Sequence, residues 1–253
     1  MSTWLLDWSV PGVRAAFTTR AGGVSAAPFD SLNLGSHVGD DPVAVQTNRD
    51  RVSLGLKTRP VWLNQVHGTD VHWLDASTPD GLSVDGVCTA ERGVACTIMV
   101  ADCLPVLLAD SQGRAVAAAH AGWRGLAGQA GRGILDNTVQ ALRERLPASA
   151  QLQAWLGPCI GPQAFEVGPE VPREFQANGF DTEAFVRAHV DRPGKWLMSL
   201  AGLARQRLAQ LGVRHVAGND GSEAWCTVGD ATRWFSHRRD RVSGRLAALV
   251  WRV

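Results

Sequence analysis

Short apolar runs separated by turn-forming clusters recur along the whole chain, the pattern of strands in a sheet-rich protein. They predict strands near residues 14–18, 61–66, 94–100, 105–109, 115–119, 151–156, 213–217 and 246–251. Three stretches carry apolar residues at helical spacing instead. Asp41-Pro42 supplies an N-cap followed by proline at the first helical position, which predicts a helix to about residue 54 with Gly55 closing it. A second helix is expected over residues 125–146, where Leu126, Ala130, Ile134, Val139 and Leu142 share a face and Pro147 stops it. A third covers residues 200–211 and ends at Gly212. This interleaving predicts an α/β fold, a single compact domain over residues 1–253 with mixed, largely antiparallel sheet layers flanked by helices.

Composition narrows the partners. The 25 basic residues nearly cancel the 24 acidic ones, leaving +1, and 19% of residues are charged. Such a chain has no bulk field to draw it onto nucleic acid or an anionic membrane. The opening MSTWLLDWSV has no basic run and is interrupted by Asp7, so no export leader is expected. No stretch reaches the ~20 apolar residues of a spanning helix. Five cysteines form an odd set without a CxxC pair, which argues against a disulfide framework and for reduced thiols in the cytoplasm.

One segment allows side-chain geometry to be worked out. In residues 101–125, two apolar runs flank Asp110-Ser111-Gln112-Gly113, a turn-forming tetrapeptide. If Ser111 and Gln112 form a two-residue loop, Cys103 pairs directly with His120. Their Cβ atoms then lie about 4.5–5.5 Å apart on one sheet face, close enough to share an ion. In this register Asp102 points to the opposite face. His67, at the end of a strand-like run and followed by Gly68, is the candidate third ligand, ahead of His72. Two imidazoles and one thiolate suit zinc with an open fourth position, although copper accepts the same set. Cys88, Cys96, Cys159 and Cys226 read as core residues.

Gly122, Gly125, Gly128 and Gly131 recur every third residue after His120. They read either as a small-residue stripe against the sheet or as a helix start receiving an anion with help from Arg124. Arg20, in a glycine loop, and Arg49, Arg238, Arg239 and Arg245 are further candidates for a phosphate or ribose site. Most arginines of a soluble domain are simply solvated.

The chain resembles the bacterial YfiH/laccase-domain family, also described as multicopper polyphenol oxidoreductases or purine nucleoside phosphorylases. The resemblance covers nearly the whole length. It rests on Thr18-Thr19-Arg20-Ala21-Gly22-Gly23-Val24-Ser25, Ser31-Leu32-Asn33-Leu34, Asn64-Gln65-Val66-His67-Gly68 and Ala101-Asp102-Cys103-Leu104-Pro105. It continues in His120-Ala121-Gly122-Trp123-Arg124-Gly125, Gly157-Pro158-Cys159-Ile160-Gly161 and Phe235-Ser236-His237-Arg238-Arg239. Departures are Asp85-Gly86-Val87-Cys88-Thr89, where the family more often has Asp-Ala-Leu-Val-Thr, and His237, where tyrosine is common.

The resemblance implies a zinc ion on His67, Cys103 and His120. It also implies phosphorolysis of adenosine, inosine and S-methyl-5′-thioadenosine, together with adenosine deamination. Substrate and phosphate contacts are then expected from Arg20, Asn33, Arg49, Arg124 and Arg238. The expected enzyme is a cytoplasmic monomer that uses purine nucleoside and phosphate, with no nucleic-acid or membrane partner. Two rivals stay open: a copper-dependent polyphenol oxidase, and a non-catalytic factor that edits cell-wall precursors. Seven histidines without an HxH pair weigh against a full multicopper centre.

Overall fold

The computed structural model describes residues 5–253. Residues 1–4, which open the segment read for a leader, lie outside the described residues. The first half runs β1 (Val13–Phe17), α1 (Pro42–Leu56), β2 (Arg59–Val61), β3 (Val71–Leu74), β4 (Gly86–Thr89) and β5 (Val94–Val100). Then come β6 (Leu104–Asp110), β7 (Val116–Ala121), α2 (Trp123–Ala127), α3 (Ile134–Arg145) and β8 (Leu152–Leu156). The remainder comprises β9 (Glu166–Val167), α4 (Glu170–Ala177), β10 (Val186–Ala188), β11 (Trp196–Met198) and α5 (Leu200–Gln210). It closes with β12 (His215–Gly218), α6 (His237–Asp240) and β13 (Leu246–Arg252). No helix among the described residues is long and apolar enough to cross a membrane.

Alternation along β13 shows how the layers form. Leu246, Ala248 and Val250 enter one apolar core, while Ala247, Leu249 and Trp251 enter another. A strand whose two faces are both buried reads as a continuous apolar run. This strand lies between β1 and β5 in a sheet ordered β1-β13-β5-β2. Its first face packs on the second sheet, β12-β8-β6-β7-β4-β3, through Leu107, Ala109, Val116 and Ala118. Its other face is covered by Val52 and Leu56 of α1, with Leu32, Leu34 and Trp62. The far face of the six-stranded sheet is covered by α3 and α5 through Ile134, Leu135, Leu142, Leu203 and Leu208. The order is therefore helix, sheet, sheet, helices. The β2–β5, β3–β4 and β8–β12 pairings are parallel and the other ladders antiparallel, as the mixed pattern predicts.

The first helix runs through Gly55, expected to close it, to Leu56, and Lys57 at φ +54° ends it instead; three larger expectations also need correction. The helix expected over residues 125–146 is broken into α2 and α3. Gly128 and Gly131 have φ of +74° and +77°, values that favour glycine, and Gln129 and Arg132 form a two-way backbone bridge between the helices. The glycine spacing therefore marks an interruption. The strand expected at residues 61–66 stops at Val61. Beyond it, side chains replace the ladder: Asp80 accepts from the Trp62 N–H, and Gln65 bonds both backbone groups of Met99.

The third correction is the hairpin register. Pro105, not Cys103, lies opposite His120. The loop has four residues, 111–114, because the Asp110 N–H donates to the Ala115 carbonyl at 3.0 Å. Gly113 turns the chain at φ +68°, and the Asp110 carboxylate, receiving Arg114 Nη2 at 2.9 Å, holds Arg114 inside the loop. The centre moves by one residue and the pairing by two. A two-residue slip keeps every side chain on its face, so Cys103 and His120 remain neighbours, now on a diagonal.

Candidate metal centre and its cavity

Three connections at one end of the sheets bring the donors together. Cys103 sits between β5 and β6, His120 near the end of β7, and His67 on the segment leading from β2 to β3. Among the described residues His67, Cys103 and His120 form a group whose ligand atoms all lie within 4.8 Å of one another. The Cys103 Sγ is 3.7 Å from His67 Nε2, and the two imidazole centroids are 4.7 Å apart. The structure brings together the three side chains named from the sequence as candidate ligands. His72 is exposed on β3, outside the group.

Asp85 organises two of the three. Its carboxylate is fully buried and accepts His120 Nδ1–H at 2.8 Å, leaving Nε2 as that ring's free donor atom. The same carboxylate accepts the backbone N–H groups of Val66, His67 and Gly68 at 3.1, 2.9 and 2.7 Å. These bonds hold His67 at φ +60°, a conformation unusual for a residue with a Cβ. Burial alone lifts the Asp85 pKa, but the His120 bond and the backbone amides outweigh it and hold it below the ordinary carboxylate value. Burial also opposes the thiolate of Cys103. The charge of His120 and hydrogen bonds from both imidazoles overcome it, bringing that thiol down to about 6. His120 responds in kind: despite burial, Cys103 and Asp85 raise it to about 9.

Gly122 completes the cradle. A Cβ there would stand 2.9 Å from His67 Cδ2 and 3.1 Å from Cys103 Sγ. Two imidazoles, one low-pKa thiol, an oriented ring and a wall without a side chain fit a single borderline-soft divalent ion. Gly122→Ala is accordingly expected to weaken metal binding about 10–100-fold, the range seen when ligand orientation is disturbed. Competition with a chromophoric chelator measures it. Unchanged affinity would mean that the donors do not need this space.

The donors lie against a cavity of about 390 Å³. Ile160, Phe165 and Leu200 give it an apolar side, whereas Arg238, Arg241, Arg245, His37 and His237 make the rest polar and cationic. Asp102, expected on the far face of the sheet from Cys103, lines this cavity too. It precedes β6 at φ +87° instead of continuing a strand. Its carboxylate accepts Thr227 Oγ1 and the Arg238 N–H, each at 2.6 Å.

Of the residues expected to touch substrate or phosphate, Arg238 lines this cavity and the other four lie outside its lining. Arg20 donates to the Asp30 and Ala231 carbonyls and pairs with the Asp30 carboxylate at 3.2 Å. Asn33 is fully buried and ties Gly35 and Arg245 together. Arg49 donates to the Leu34 carbonyl and covers Trp62. Arg124 is exposed on α2 and stacks on Trp123. Sequence reasoning missed His37 and the organising role of Asp85. Neither carries a spacing signal, because each acts through a fold contact far away in the chain.

A family model described as multi-copper polyphenol oxidoreductase laccase matches residues 14–253. The chain is 48% identical over 262 residues to a purine nucleoside phosphorylase of Pseudomonas aeruginosa, covering 99% of each. It is 44% identical to the purine nucleoside phosphorylase YfiH of Escherichia coli, covering 98% of this chain and 97% of that one. Among solved structures, a Neisseria meningitidis protein of the DUF152 family superposes with a TM-score of 0.87 at 42% identity, covering 98% of both chains. YlmD of Geobacillus stearothermophilus superposes at 0.86 with 32% identity, covering 100% of this chain and 97% of that one.

Proposed function

The chain belongs to the multi-copper polyphenol oxidoreductase laccase family, and from that premise we propose that it is a zinc-dependent purine nucleoside phosphorylase that also deaminates adenosine. The observation that carries this reading is the convergence of His67, Cys103 and His120 on a cavity with one apolar side and one cationic side. The names of the similar proteins point to purine nucleosides as the substrate class. Adenosine, inosine and S-methyl-5′-thioadenosine are the substrates of this reading. Three donors supply one ion, which favours a mononuclear site over a cluster of copper ions.

The apolar side formed by Ile160, Phe165 and Leu200 suits the faces of a purine ring. The guanidinium groups of Arg238, Arg241 and Arg245 suit phosphate. In phosphorolysis a phosphate oxygen bonds to C1′ of the sugar while the C1′–N9 bond breaks. The bonding pair leaves with the purine, which takes up a proton. Fixed guanidinium groups stabilise the charge of the attacking phosphate without reorganising during the reaction. When bound, a zinc ion supplies Lewis acidity and can lower the pKa of water to about 7. Asp85 holds the His120 proton on Nδ1 and fixes the direction in which its other nitrogen faces.

Incubating the metal-loaded protein with inosine, with and without inorganic phosphate, tests the reading. Hypoxanthine and ribose 1-phosphate are expected in equal amounts, and only when phosphate is present. With adenosine, inosine is expected to form without phosphate. Failure to release base in the presence of phosphate would overturn the phosphorylase assignment, and oxidation of a phenol by a copper-loaded protein would replace it.

A further inference from the structure

Arg245 is a half-buried guanidinium on the cavity wall, just before β13. Its Nη1 donates to the carbonyls of Ser243 and Gly244 at 2.8 and 3.1 Å, and it forms no ion pair with a carboxylate among the described residues. No buried side-chain nitrogen among the described residues lacks a partner, so its remaining N–H groups stay accessible from the cavity.

The stem of this arginine is tightly held. A Cβ on Gly35 would stand 2.6 Å from its Cγ, so the bare glycine backbone lies directly against it. Asn33 Oδ1 accepts both the Gly35 N–H at 2.9 Å and the Arg245 N–H at 2.8 Å. Arg49 donates to the Leu34 carbonyl of the same loop at 2.9 Å.

The electrostatics around it ask for an anion. Asp102 is the carboxylate of the cavity lining, and its two oxygens are already engaged by Thr227 and by the Arg238 backbone. Burial holds the Arg245 pKa below its ordinary value against the opposing pull of Cys103 and Asp102 across the cavity, and a guanidinium remains charged. Burial and then the charges of Arg245 and Arg49 hold His37 below its ordinary value. A cation partly withdrawn from water, with open N–H groups and no carboxylate in direct ion pair with it, has the geometry of a fork for a tetrahedral oxyanion.

We propose that Arg245 is the principal ligand of inorganic phosphate, in a subsite completed by Arg241 and His37 on the same cavity. The choice of phosphate among oxyanions rests on the phosphorylase reading; the presence of an anion subsite rests on the geometry alone.

Calorimetric titration of zinc-loaded protein with inorganic phosphate, without nucleoside, tests this subsite. The wild type is expected to bind, Arg245→Gln to bind at least about tenfold more weakly, and Arg245→Lys to fall between, since it keeps charge and loses the fork. Inosine affinity in the absence of phosphate is expected to be unchanged in both. A second measurement needs no variant: phosphate is expected to protect Arg245 of the native protein from phenylglyoxal, mapped by peptide mass spectrometry. Undiminished phosphate affinity in Arg245→Gln, no protection of Arg245, or binding of inosine 5′-monophosphate but not inorganic phosphate would each overturn the proposal. Arg245-dependent phosphate binding in a protein that forms no ribose 1-phosphate would support the subsite and remove the phosphorylase reading. Normal phosphorolysis with unaltered phosphate dependence in Arg245→Gln would do the reverse.

Discussion

Cys103→Ala is expected to lower inosine phosphorolysis by about a thousandfold or more, the scale of losing a metal-assisted step, while leaving the fold intact. Cys103 sits in a connection, outside the ladder of β6, and supplies a small, half-buried side chain. Its loss is expected to cost about 1 kcal/mol or less, within the range of substitutions away from the core. Turnover with saturating phosphate and a urea unfolding curve on the same preparation separate the two effects. His67→Ala is expected to behave alike. His120→Ala should also lose activity, but at a further cost of about 1–3 kcal/mol, because it removes a buried partner of Asp85. A Cys103→Ala protein with full turnover would take the thiol out of the chemistry.

The second large effect is expected at Asp85, which never touches the cavity. This carboxylate accepts from the imidazole of one ligand and from three successive backbone amides around another. Asn at this position keeps the size but replaces one accepting oxygen with a donor that faces other donors. Breaking a buried charged pair costs about 3–5 kcal/mol, so Asp85→Asn is expected to be destabilised on that scale. Loss of the fixed His120 orientation is expected to weaken zinc binding about 10–100-fold in addition. Denaturant unfolding reads the first effect and chelator competition at a temperature where the variant is folded reads the second. A variant that is destabilised yet binds zinc normally would make Asp85 a structural residue alone.

Much of the framework was readable because it depends on local rules. Apolar runs over residues 246–251 and 94–100 identified strands, and Asp41-Pro42 identified the start of α1, where the Asp41 side chain caps the Val43 N–H at 2.9 Å. Periodicity could not see the break between α2 and α3, because apolar spacing continues across Gly128 and Gly131 while the backbone does not. It also could not see that residues 62–66 are extended without a ladder. There the Asp80 and Asp85 carboxylates, from farther along the chain, accept the Trp62 and Val66 N–H groups, and the segment's own Gln65 side chain bonds the backbone of Met99.

The site was legible in part for a related reason. Cys103 and His120 were paired from a loop one residue off centre, and the inference survived because a slip of two preserves the face. A slip of one would have placed the thiol and the imidazole on opposite sides of the sheet. The cationic side was less readable. Arg20, Asn33, Arg49 and Arg124 lie in distinctive local patterns, yet those patterns serve backbone carbonyls, a buried amide hub and an exposed aromatic stack. The arginines that reach the cavity come from residues 238–245, where sequence alone offers several candidates and no means of telling which face inward. Asn33 links the two sets, since its side chain bonds the backbone of Arg245 across more than two hundred residues.

Metal-edge X-ray absorption on the natively loaded protein tests the central claim most directly. One zinc per chain is expected, with a single sulfur at about 2.3 Å and nitrogen at about 2.0–2.1 Å in its coordination shell. A stoichiometric ion with no sulfur neighbour, or no bound ion in a protein with full nucleoside turnover, would contradict it.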